Sequence, residues 1–471
     1  MAIQNTHYGS SLIGEMLKNC RSVYFIGIGG INMSSLAELT ARQGYRVGGS
    51  DRTETELTRR LAEKGISIFY GHSAAQVEDF DAVVYTVAIS EDNPEFLRAR
   101  ERGIPCISRA DYLGYVMTAY PWRVGFSGMH GKSSTTSMCA HTMLAAGVDP
   151  TVLSGAELRE MGGAYHVGEG RHFVFEACEY MDSFLDFYPT VAVILNVEMD
   201  HVDYFKSMDQ IRSSFGRYAA KTGKDGYAVV NGDDADAMDS VKDYEGTLVT
   251  FGLGETVDFR ATDLIEQRGR YSFDIWKRGE RFGHVSLSVP GRHHVYNALA
   301  CAAACELGGL SREEILRGIS SFTGAARRME YRGTLGGACV YDDYGHHPTE
   351  IRTTLTGAKA LPEEGGRLLC VYQPHTYSRT VALLEEFSSA FGEADRVFFM
   401  DIYAARETNE WGISSEILAE RVGERGVYGG SPQRTAGLVL DEIRRGDVLV
   451  VMGAGDLYKI YDYLNVQETE L

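Results

Sequence analysis

The sequence predicts an α/β protein of three domains, and three observations lead to that prediction. Apolar, strand-like runs alternate with amphipathic helical segments along most of the chain, which is typical of parallel sheets. Many of these runs end in glycine or polar residues, as strands do where a sheet meets a ligand. The chain of 471 residues is longer than one ordinary domain. We therefore predict domains over residues 1–119, 120–326 and 327–471.

The composition favours small-molecule partners. The chain has 46 Lys and Arg against 65 Asp and Glu, so its net charge of −19 offers no basic field for a nucleic-acid backbone. The eight cysteines form no C-x-x-C pair, which indicates a reducing compartment. The start "MAIQNTHYGSSLIGEMLKNC" lacks a signal-peptide pattern, and no run of 18 apolar residues occurs. We expect a cytoplasmic protein with no membrane or nucleic-acid partner.

The first domain opens with "VYFIGIGGINMSSLAELTARQGYRVGGSD", which predicts a βαβ unit of Rossmann type. Gly27 and Gly29 fit the dinucleotide fingerprint G-x-G-x-x-G. Gly30 belongs to the same turn, and Asn32 replaces the third glycine. Asp51 ends the second strand, where a carboxylate can accept the hydroxyls of a ribose. The segment predicts a nucleotide site, and the alternative is a doubly wound domain that binds no nucleotide.

The second domain begins with a candidate phosphate loop, "GFSGMHGKSSTTSM", at residues 125–138. A strand-like run precedes it and a helical run follows, so the N-terminus of that helix would face an anion. The loop departs from the strict pattern G-x-x-x-x-G-K-[ST], because Phe126 stands where the first glycine belongs. A plain turn between strand and helix would not need the lysine and hydroxyl pair. The candidate nucleotide-binding residues are Gly128, Met129, His130, Gly131, Lys132, Ser133 and Ser134.

Two later strand-like runs of this domain deliver polar groups just past their ends. Glu176 and Glu179 follow "FVF", and Asp200 and His201 follow "VAVILNV". Because the carboxyl ends of parallel strands share one edge of a sheet, we expect one crevice to hold Lys132, Ser133, Glu176 and His201. Hydroxyl and carboxylate oxygens with one imidazole suit Mg²⁺, or Mn²⁺, beside phosphates. The predicted metal ligands are Ser133, Glu176 and His201.

Short alternating runs between about residues 226 and 290 predict an antiparallel addition at the edge of the central sheet. In the helical run after it, Cys301 and Cys305 lie one turn apart on an apolar face and should pack in the core. The third domain again alternates strand-like runs with polar ends, which predicts a Rossmann-like α/β unit. The polar residues at those ends are Asp342, Asp343, His346, His347, His375, Arg379, Arg406 and Asp456.

Several of these motifs, in this order, resemble the Mur ligases. They are "GIGGINMSSLAE", "SGMHGKSSTT", "FEACEY", "NVEMDH", "PGRHHVYNALA", "YDDYGHHPTEI", "QPHTYSR" and "GAGD", and they cover nearly the whole chain. The resemblance implies an N-terminal Rossmann-like domain that binds UDP and a central P-loop ATPase-type domain. It also implies a C-terminal domain that binds the amino acid and closes over ATP.

The resemblance also implies roles for individual residues. Lys132 and Ser133 match the phosphate-loop lysine and hydroxyl, and Glu176 and His201 match the metal-site acid and histidine. The remaining matches are His293 and Asn297 with the adenine nucleotide, Arg328 near the phosphates, Asp343, Tyr344 and His346 facing the nucleotide and sugar substrate, and His375 and Arg379 near the acceptor. Departures from the family pattern are Ser133 and Ser134 where threonine is common, and His294 where asparagine is frequent.

The activity implied by the resemblance is ATP-dependent ligation of L-alanine to the carboxylate of UDP-N-acetylmuramate through an acyl phosphate, giving ADP and phosphate. The catalytic candidates are Lys132, Arg328, His346, His375 and Arg379, with His346 or His375 as the base. The expected assembly is a monomer or a weak homodimer. Three alternatives stay open at this point: a ligase for a recycled murein peptide, a nicotinamide-dependent dehydrogenase, and a catalytically silent nucleotide-binding regulator.

Overall fold

The structure is a computed structural model that describes residues 3–201, 204–405 and 407–469. The chain forms two compact units, Met1–Arg260 with Leu299–Gly318, and Ala261–Ala298 with Ile319–Leu471. The predicted α/β class is confirmed, with parallel sheets in the N-terminal, central and C-terminal parts of the chain. The three domain boundaries read from the sequence stay predictions. Within the described ranges, no helix has both the length and the apolar character needed to span a bilayer.

The N-terminal part of the first unit is a parallel sheet of five strands in the order β3-β2-β1-β4-β5. The predicted βαβ unit forms β1, α2 and β2, and helices connect the strands as a Rossmann-like domain requires. The elements are α1 (Gly9–Leu17), β1 (Ser22–Ile26), α2 (Ile31–Arg42), β2 (Arg46–Asp51), α3 (Glu56–Glu63), β3 (Ser67–Tyr70), β4 (Ala82–Tyr85), α4 (Pro94–Glu101), β5 (Cys106–Ser108) and α5 (Arg109–Met117).

The central sheet places the strand of the phosphate loop between two others. In this unit its order is β12-β11-β10-β6-β9-β7-β8, and only β8 runs antiparallel to its neighbour. The elements are β6 (Trp122–Ser127), α6 (Lys132–Ala145), β7 (Thr151–Leu158), β8 (Gly163–His166), β9 (His172–Glu176), β10 (Val191–Ile194), α7 (Met208–Ala220), β11 (Tyr227–Asn231), α8 (Ala235–Ser240) and β12 (Thr247–Gly252). Since β6 pairs with both β9 and β10, the three segments that follow them meet at one edge.

The antiparallel addition is smaller than the sequence predicts. The runs "YAVVNGDD" and "TLVTFGLG" form β11 and β12, which pair in parallel. The reason is that α8 joins them, and its N-cap Asp234 accepts a hydrogen bond from the Ala237 N–H, so the chain crosses over instead of forming a hairpin. The antiparallel part is a hairpin of β14 (Arg270–Lys277) and β15 (Glu280–Ser286). Arg278 and Gly279 between them both have the positive φ of a tight turn.

The second unit contains that hairpin and a six-stranded sheet in the order β16-β17-β21-β18-β19-β20. Only β16 runs antiparallel, so the predicted C-terminal α/β unit is confirmed. The remaining elements of the chain are β13 (Phe259–Gln267), β14 (Arg270–Lys277), β15 (Glu280–Ser286), α9 (His293–Leu307), α10 (Arg312–Ser321), β16 (Glu330–Leu335), β17 (Ala338–Asp343), α11 (Pro348–Ala358), β18 (Leu368–Tyr372), α12 (Tyr377–Ala382), α13 (Leu384–Ala390), β19 (Arg396–Met400), α14 (Ser415–Val422), β20 (Gly426–Gly430), α15 (Pro432–Glu442) and β21 (Val448–Met452).

The core of the first unit is continuous beneath both of its sheets. Cys301 and Cys305 are buried as predicted and pack with Cys139, and the Sγ atom of Cys305 lies 3.7 Å from that of Cys139. The core is tightly packed behind the phosphate loop. There the buried Tyr218 hydroxyl donates to the Gly125 carbonyl across 3.1 Å, and a Cβ added to Gly125 would lie 2.1 Å from that hydroxyl.

We predict that Gly125→Ala lowers the free energy of unfolding by about 1–3 kcal/mol, because its methyl group has no space in β6. Urea denaturation followed by circular dichroism measures the change. Gly14→Ala is the matched control, since its Cβ would contact Tyr115 at an ordinary 3.5 Å within α1. This variant should be neutral or more stable by about 0.5–1 kcal/mol. Equal stability of the two variants would contradict the packing described for β6.

Candidate active site

The carboxylate of Asp51, at the end of β2, binds the glycine turn that follows β1. The Gly29 N–H donates to Asp51 Oδ2 across 2.8 Å, and a Cβ at Gly29 would lie 2.8 Å from the same oxygen. Gly27 has a φ of 83°, which favours glycine. Gly30 is the N-cap of α2, and Asn32 is exposed in its first turn. Asp51 therefore shapes the turn, and its contact with a ribose stays a prediction.

The phosphate loop has the geometry that an anion site requires. Gly128 and Gly131 have φ values of 136° and 84°, which are backbone conformations that residues with a side chain rarely adopt. Gly131 is the N-cap of α6, and Ser134 lies in the first turn of that helix, whose leading N–H groups have no partner within the helix. These N–H groups and the helix dipole favour a negatively charged ligand.

Asn196, which the candidate set from the sequence omits, fixes the loop from the neighbouring strand. Its side-chain oxygen accepts from the His130 N–H, and its side-chain nitrogen donates to the His130 carbonyl, both across 2.9 Å. Met129, beside His130, is buried. The asparagine is the first residue of the motif "NVEMDH", which ends in Asp200 and His201, the acid and histidine that the sequence analysis selected. A polar residue within an apolar run is the signal that could have identified it.

Glu179 connects the lysine of the loop to the histidine beyond β10. Its carboxylate is fully buried, its Oε1 atom lies 3.0 Å from Lys132 Nζ, and the same oxygen lies 3.2 Å from His201 Nε2. Lys132 Nζ also donates to the Gly128 carbonyl across 2.5 Å. The sequence-based metal set omits Glu179, although the residue was recognised at the end of β9. One carboxylate thus joins the segments that follow three adjacent strands.

The second acid of this edge, Glu176, binds the loop hydroxyl. Its Oε2 atom accepts from Ser133 Oγ and from the Gly155 N–H, each across 2.9 Å. Asp200 accepts from the His201 N–H across 2.6 Å and so fixes the backbone at the end of the β10 segment. The structure therefore brings Lys132, Ser133, Glu176 and His201 to one edge of the central sheet, as predicted.

The ionisable groups at this edge of the sheet stabilise one another's charge. Burial opposes the charge of Lys132, but the carboxylate of Glu179 outweighs it and leaves the pKa of the ammonium group above its ordinary value. Burial likewise opposes the charge of Glu179, and Lys132 nevertheless lowers the pKa of that carboxyl group. The hydrogen bond from Glu179 raises the pKa of His201. Lys132 and Glu179 therefore form a buried charged pair, and His201 hydrogen-bonds the carboxylate of that pair.

In the second unit, Asp343 organises the chain at the end of β17. Its buried carboxylate accepts from the Met329 N–H across 2.9 Å and from the Gly345 N–H across 2.8 Å. Burial raises the pKa of this carboxyl group. The guanidinium of Arg328 lies 5.4 Å from the centre of the Tyr344 ring, within reach of a cation–π contact. Arg328, Asp343 and Tyr344 thus belong to one local cluster.

The candidate bases His346 and His375 are neighbours in this unit. Their ring centres are 6.1 Å apart, and Arg379 Nη1 lies 3.3 Å from His375 Nδ1. Burial is the main cause that lowers the pKa of both imidazoles, so both are neutral near pH 7. The sequence analysis missed Glu350, which accepts from the backbone N–H groups of His346 and His347. It also missed Tyr403, which stacks on His375.

The adenine-contact candidates lie at the start of α9. Asn297 is buried, and its Nδ2 atom lies 3.2 Å from His294 Nδ1. Burial lowers the pKa of His294 well below its ordinary range, which leaves a neutral ring. The ring of His293 lies 4.2 Å from that of His294. His294 is therefore a hydrogen-bond partner of Asn297 in the protein interior.

A pocket of about 340 Å³ opens beyond the carboxyl ends of β18, β19 and β20. Gln373 lies on its wall and donates to Asp456 Oδ1 across 2.9 Å, and Asp456 pairs with Lys459. Such a position, at the carboxyl edge of a parallel sheet, is where α/β proteins bind ligands. Arg406, another polar residue selected from the sequence, lies outside the described residues.

The chain matches three family models in order. Residues 22–121 match the Mur ligase family catalytic domain, residues 127–305 the Mur ligase middle domain, and residues 327–455 the Mur ligase glutamate ligase domain. A relative from Clostridium novyi named UDP-N-acetylmuramate–L-alanine ligase is 42% identical, covering 94% of this chain and 96% of its own length.

Two solved structures have the same fold. A UDP-N-acetylmuramate–alanine ligase from Thermotoga maritima aligns with a TM-score of 0.75 at 29% identity, covering 94% of this chain and 98% of that one. A murein peptide ligase from Psychrobacter arcticus aligns with a TM-score of 0.68 at 22% identity, covering 95% and 100%. With the three model matches and a relative of 42% identity over nearly its whole length, the chain belongs to the Mur ligase family.

Proposed function

We propose that the protein joins L-alanine to the carboxylate of UDP-N-acetylmuramate, with ATP as the energy source. The observation that carries this proposal is the convergence of Lys132, Ser133, Glu176, Glu179 and His201 beyond three adjacent strands. The Clostridium novyi relative, which is named UDP-N-acetylmuramate–L-alanine ligase, supports the choice of substrates. The murein peptide ligase is less similar in sequence, and it supports the fold alone. The peptide ligase is therefore the weaker candidate.

ATP is needed because a carboxylate is a poor acyl donor, since its oxygen would have to leave as oxide. In the proposed reaction a carboxylate oxygen attacks the γ-phosphorus, the bond to the bridging oxygen breaks, and ADP leaves. The alanine nitrogen then attacks the acyl carbon, phosphate leaves, and the nitrogen loses a proton to a base. Lys132 stabilises the charge that develops on the transferred phosphoryl group, which is the usual protein contribution to this chemistry.

The residues beside the loop fit a magnesium ion. Ser133 and Glu176 offer hard oxygen ligands, and His201 offers an imidazole. The buried Oε2 atom of Glu179 accepts no hydrogen bond from any residue that the structure describes, although Lys132 Nζ lies 3.0 Å away. Ser133, Glu176 and His201 would hold the ion, which would supply positive charge beside the phosphate oxygens. Glu179 would keep Lys132 and His201 in place.

We predict that Lys132→Ala reduces the rate of ADP formation by about 10³-fold or more, because the missing charge acts on the transferred phosphoryl group. A coupled ADP assay with UDP-N-acetylmuramate, alanine and magnesium measures the rate. Circular dichroism should show a folded but less stable variant, since the substitution leaves the buried carboxylate of Glu179 without its ammonium partner. The exposed Lys18, replaced by alanine, is the control. A folded Lys132→Ala protein with near-normal kcat would remove this lysine from the reaction.

We predict ADP and phosphate, with no AMP or pyrophosphate, because the loop groups would polarise the terminal phosphoryl group. With hydroxylamine in place of alanine, the acyl phosphate should give a muramyl hydroxamate and ADP. Mass spectrometry of both products measures this outcome. AMP in the complete reaction would overturn the mechanism. A panel of alanine and the murein tripeptide, assayed separately, distinguishes the two ligase functions.

The group that deprotonates alanine can be identified by comparing alanine and hydroxylamine as nucleophiles. Hydroxylamine is mostly unprotonated at neutral pH, whereas the alanine ammonium must lose a proton before it attacks. Replacement of the true base by glutamine, as His346→Gln or His375→Gln, should lower alanine ligation by about 10²–10⁴-fold. Hydroxamate formation in the same variant should change much less. If both variants ligate alanine normally, neither histidine is the base.

A further inference from the structure

Arg109 is a cation without an ion-pair partner among the residues that the structure describes. It is the first residue of α5 and directly follows β5, at the carboxyl edge of the N-terminal sheet. Within the described residues, its guanidinium makes no hydrogen bond and no ion pair. Burial is the main cause that lowers its pKa, and the fields of the Cys178 thiol and of Asp186 act against that change. The side chain is half-buried and has no partner among the described residues.

The nearby carboxylates are engaged with other groups. Asp186 Oδ1 lies 2.7 Å from His7 Nδ1, and its Oδ2 atom accepts no hydrogen bond from the described chain. Asp111, on the same helix, accepts from the Tyr8 N–H across 2.7 Å and from the Gly9 N–H across 3.2 Å. A half-buried charge without a partner lacks the compensation that an ion pair or hydrogen bond would give, and an oxyanion could supply it.

Arg109 lies at the same edge of the N-terminal sheet as the glycine turn after β1. Strand register pairs Ile26 with Tyr85 and Tyr85 with Ser108, so α5 begins two strand spacings, about 10 Å, from the glycine turn that follows Ile26. On the other side, α5 contacts the segment Tyr180–Asp186, which directly follows Glu179, the partner of Lys132. A sugar nucleotide that reaches from the glycine turn to Lys132 would pass the guanidinium.

We propose that Arg109 binds an oxyanion of the sugar-nucleotide substrate and so sets the position of its carboxylate relative to Lys132. This inference rests on the proposed function. A guanidinium offers a planar fork of N–H donors that matches a carboxylate or a phosphate, and such bonds strengthen when water is excluded. UDP-N-acetylmuramate carries both anions, a diphosphate and a lactyl carboxylate. Arg109 is thus a substrate-binding residue rather than part of the phosphoryl-transfer machinery.

The test is calorimetric binding of UDP, UDP-N-acetylglucosamine and UDP-N-acetylmuramate to the full-length protein. Arg109→Met should weaken UDP-N-acetylmuramate by about 10- to 100-fold, and Arg109→Lys should weaken it less. Loss confined to UDP-N-acetylmuramate assigns the carboxylate, because UDP-N-acetylglucosamine lacks it, whereas loss for all three ligands assigns the diphosphate. The control is Arg102→Met, which removes the same charge from an exposed position of the same unit.

Stability and kinetics separate binding from a structural role. Because Arg109 has no partner, Arg109→Met should melt at or above the temperature of the wild type, with an unchanged KM for ATP and a raised KM for the sugar nucleotide. Wild-type affinity for UDP-N-acetylmuramate in Arg109→Met would overturn the inference. A lowered melting temperature with weakened ATP binding would also overturn it, in favour of a structural role. If the wild type binds no UDP-sugar, the proposed function itself fails.

Discussion

The buried contact between Lys132 and Glu179 is the interaction on which the rest of the site depends. Glu179 has no exposed surface, so its charge persists only because the ammonium of Lys132 lies 3.0 Å away and His201 approaches from the other side. Each of the three residues follows a different strand, and β6 lies between the other two strands. Loss of either charge would leave the other buried and unpaired, and the three segments would lose their common contact.

This arrangement also determines how a phosphate would enter. Lys132 Nζ is shared between Glu179 and the carbonyls of Gly128 and Met129. A nucleotide phosphate must therefore replace existing contacts of the lysine, and part of its binding free energy is spent on that exchange. A contact that becomes strongest as charge moves onto the transferred phosphoryl group accelerates the reaction, whereas one of constant strength only improves binding. Lys132, which already has contacts within the protein, is suited to a contact that strengthens as the phosphoryl group is transferred.

The sequence predicted the sheets well and the connections less well. Apolar runs with polar ends locate β1, β6, β9 and β10, because burial on both faces leaves a strong signal. The role of Glu179 was not predictable, since it depends on the turn after β9, where Met181 and Asp182 adopt positive φ without any glycine. The direction of β11 and β12 was misjudged because the six-residue α8 is too short to give a clear helical period. Asn196 was overlooked within an apolar run.

Two cations of the first unit illustrate a division between catalysis and binding. Lys132 is paired in the protein, so a ligand gains from it only what exceeds its contact with Glu179. Arg109 has no partner among the described residues, so an oxyanion beside it gains the full interaction as soon as it binds. A cation that is paired within the protein therefore contributes mainly to stabilising the transition state, where the charge of the ligand changes. An unpaired cation contributes mainly to binding the substrate in its ground state. On this reasoning we expect Arg109 to position the substrate and Lys132 to activate it.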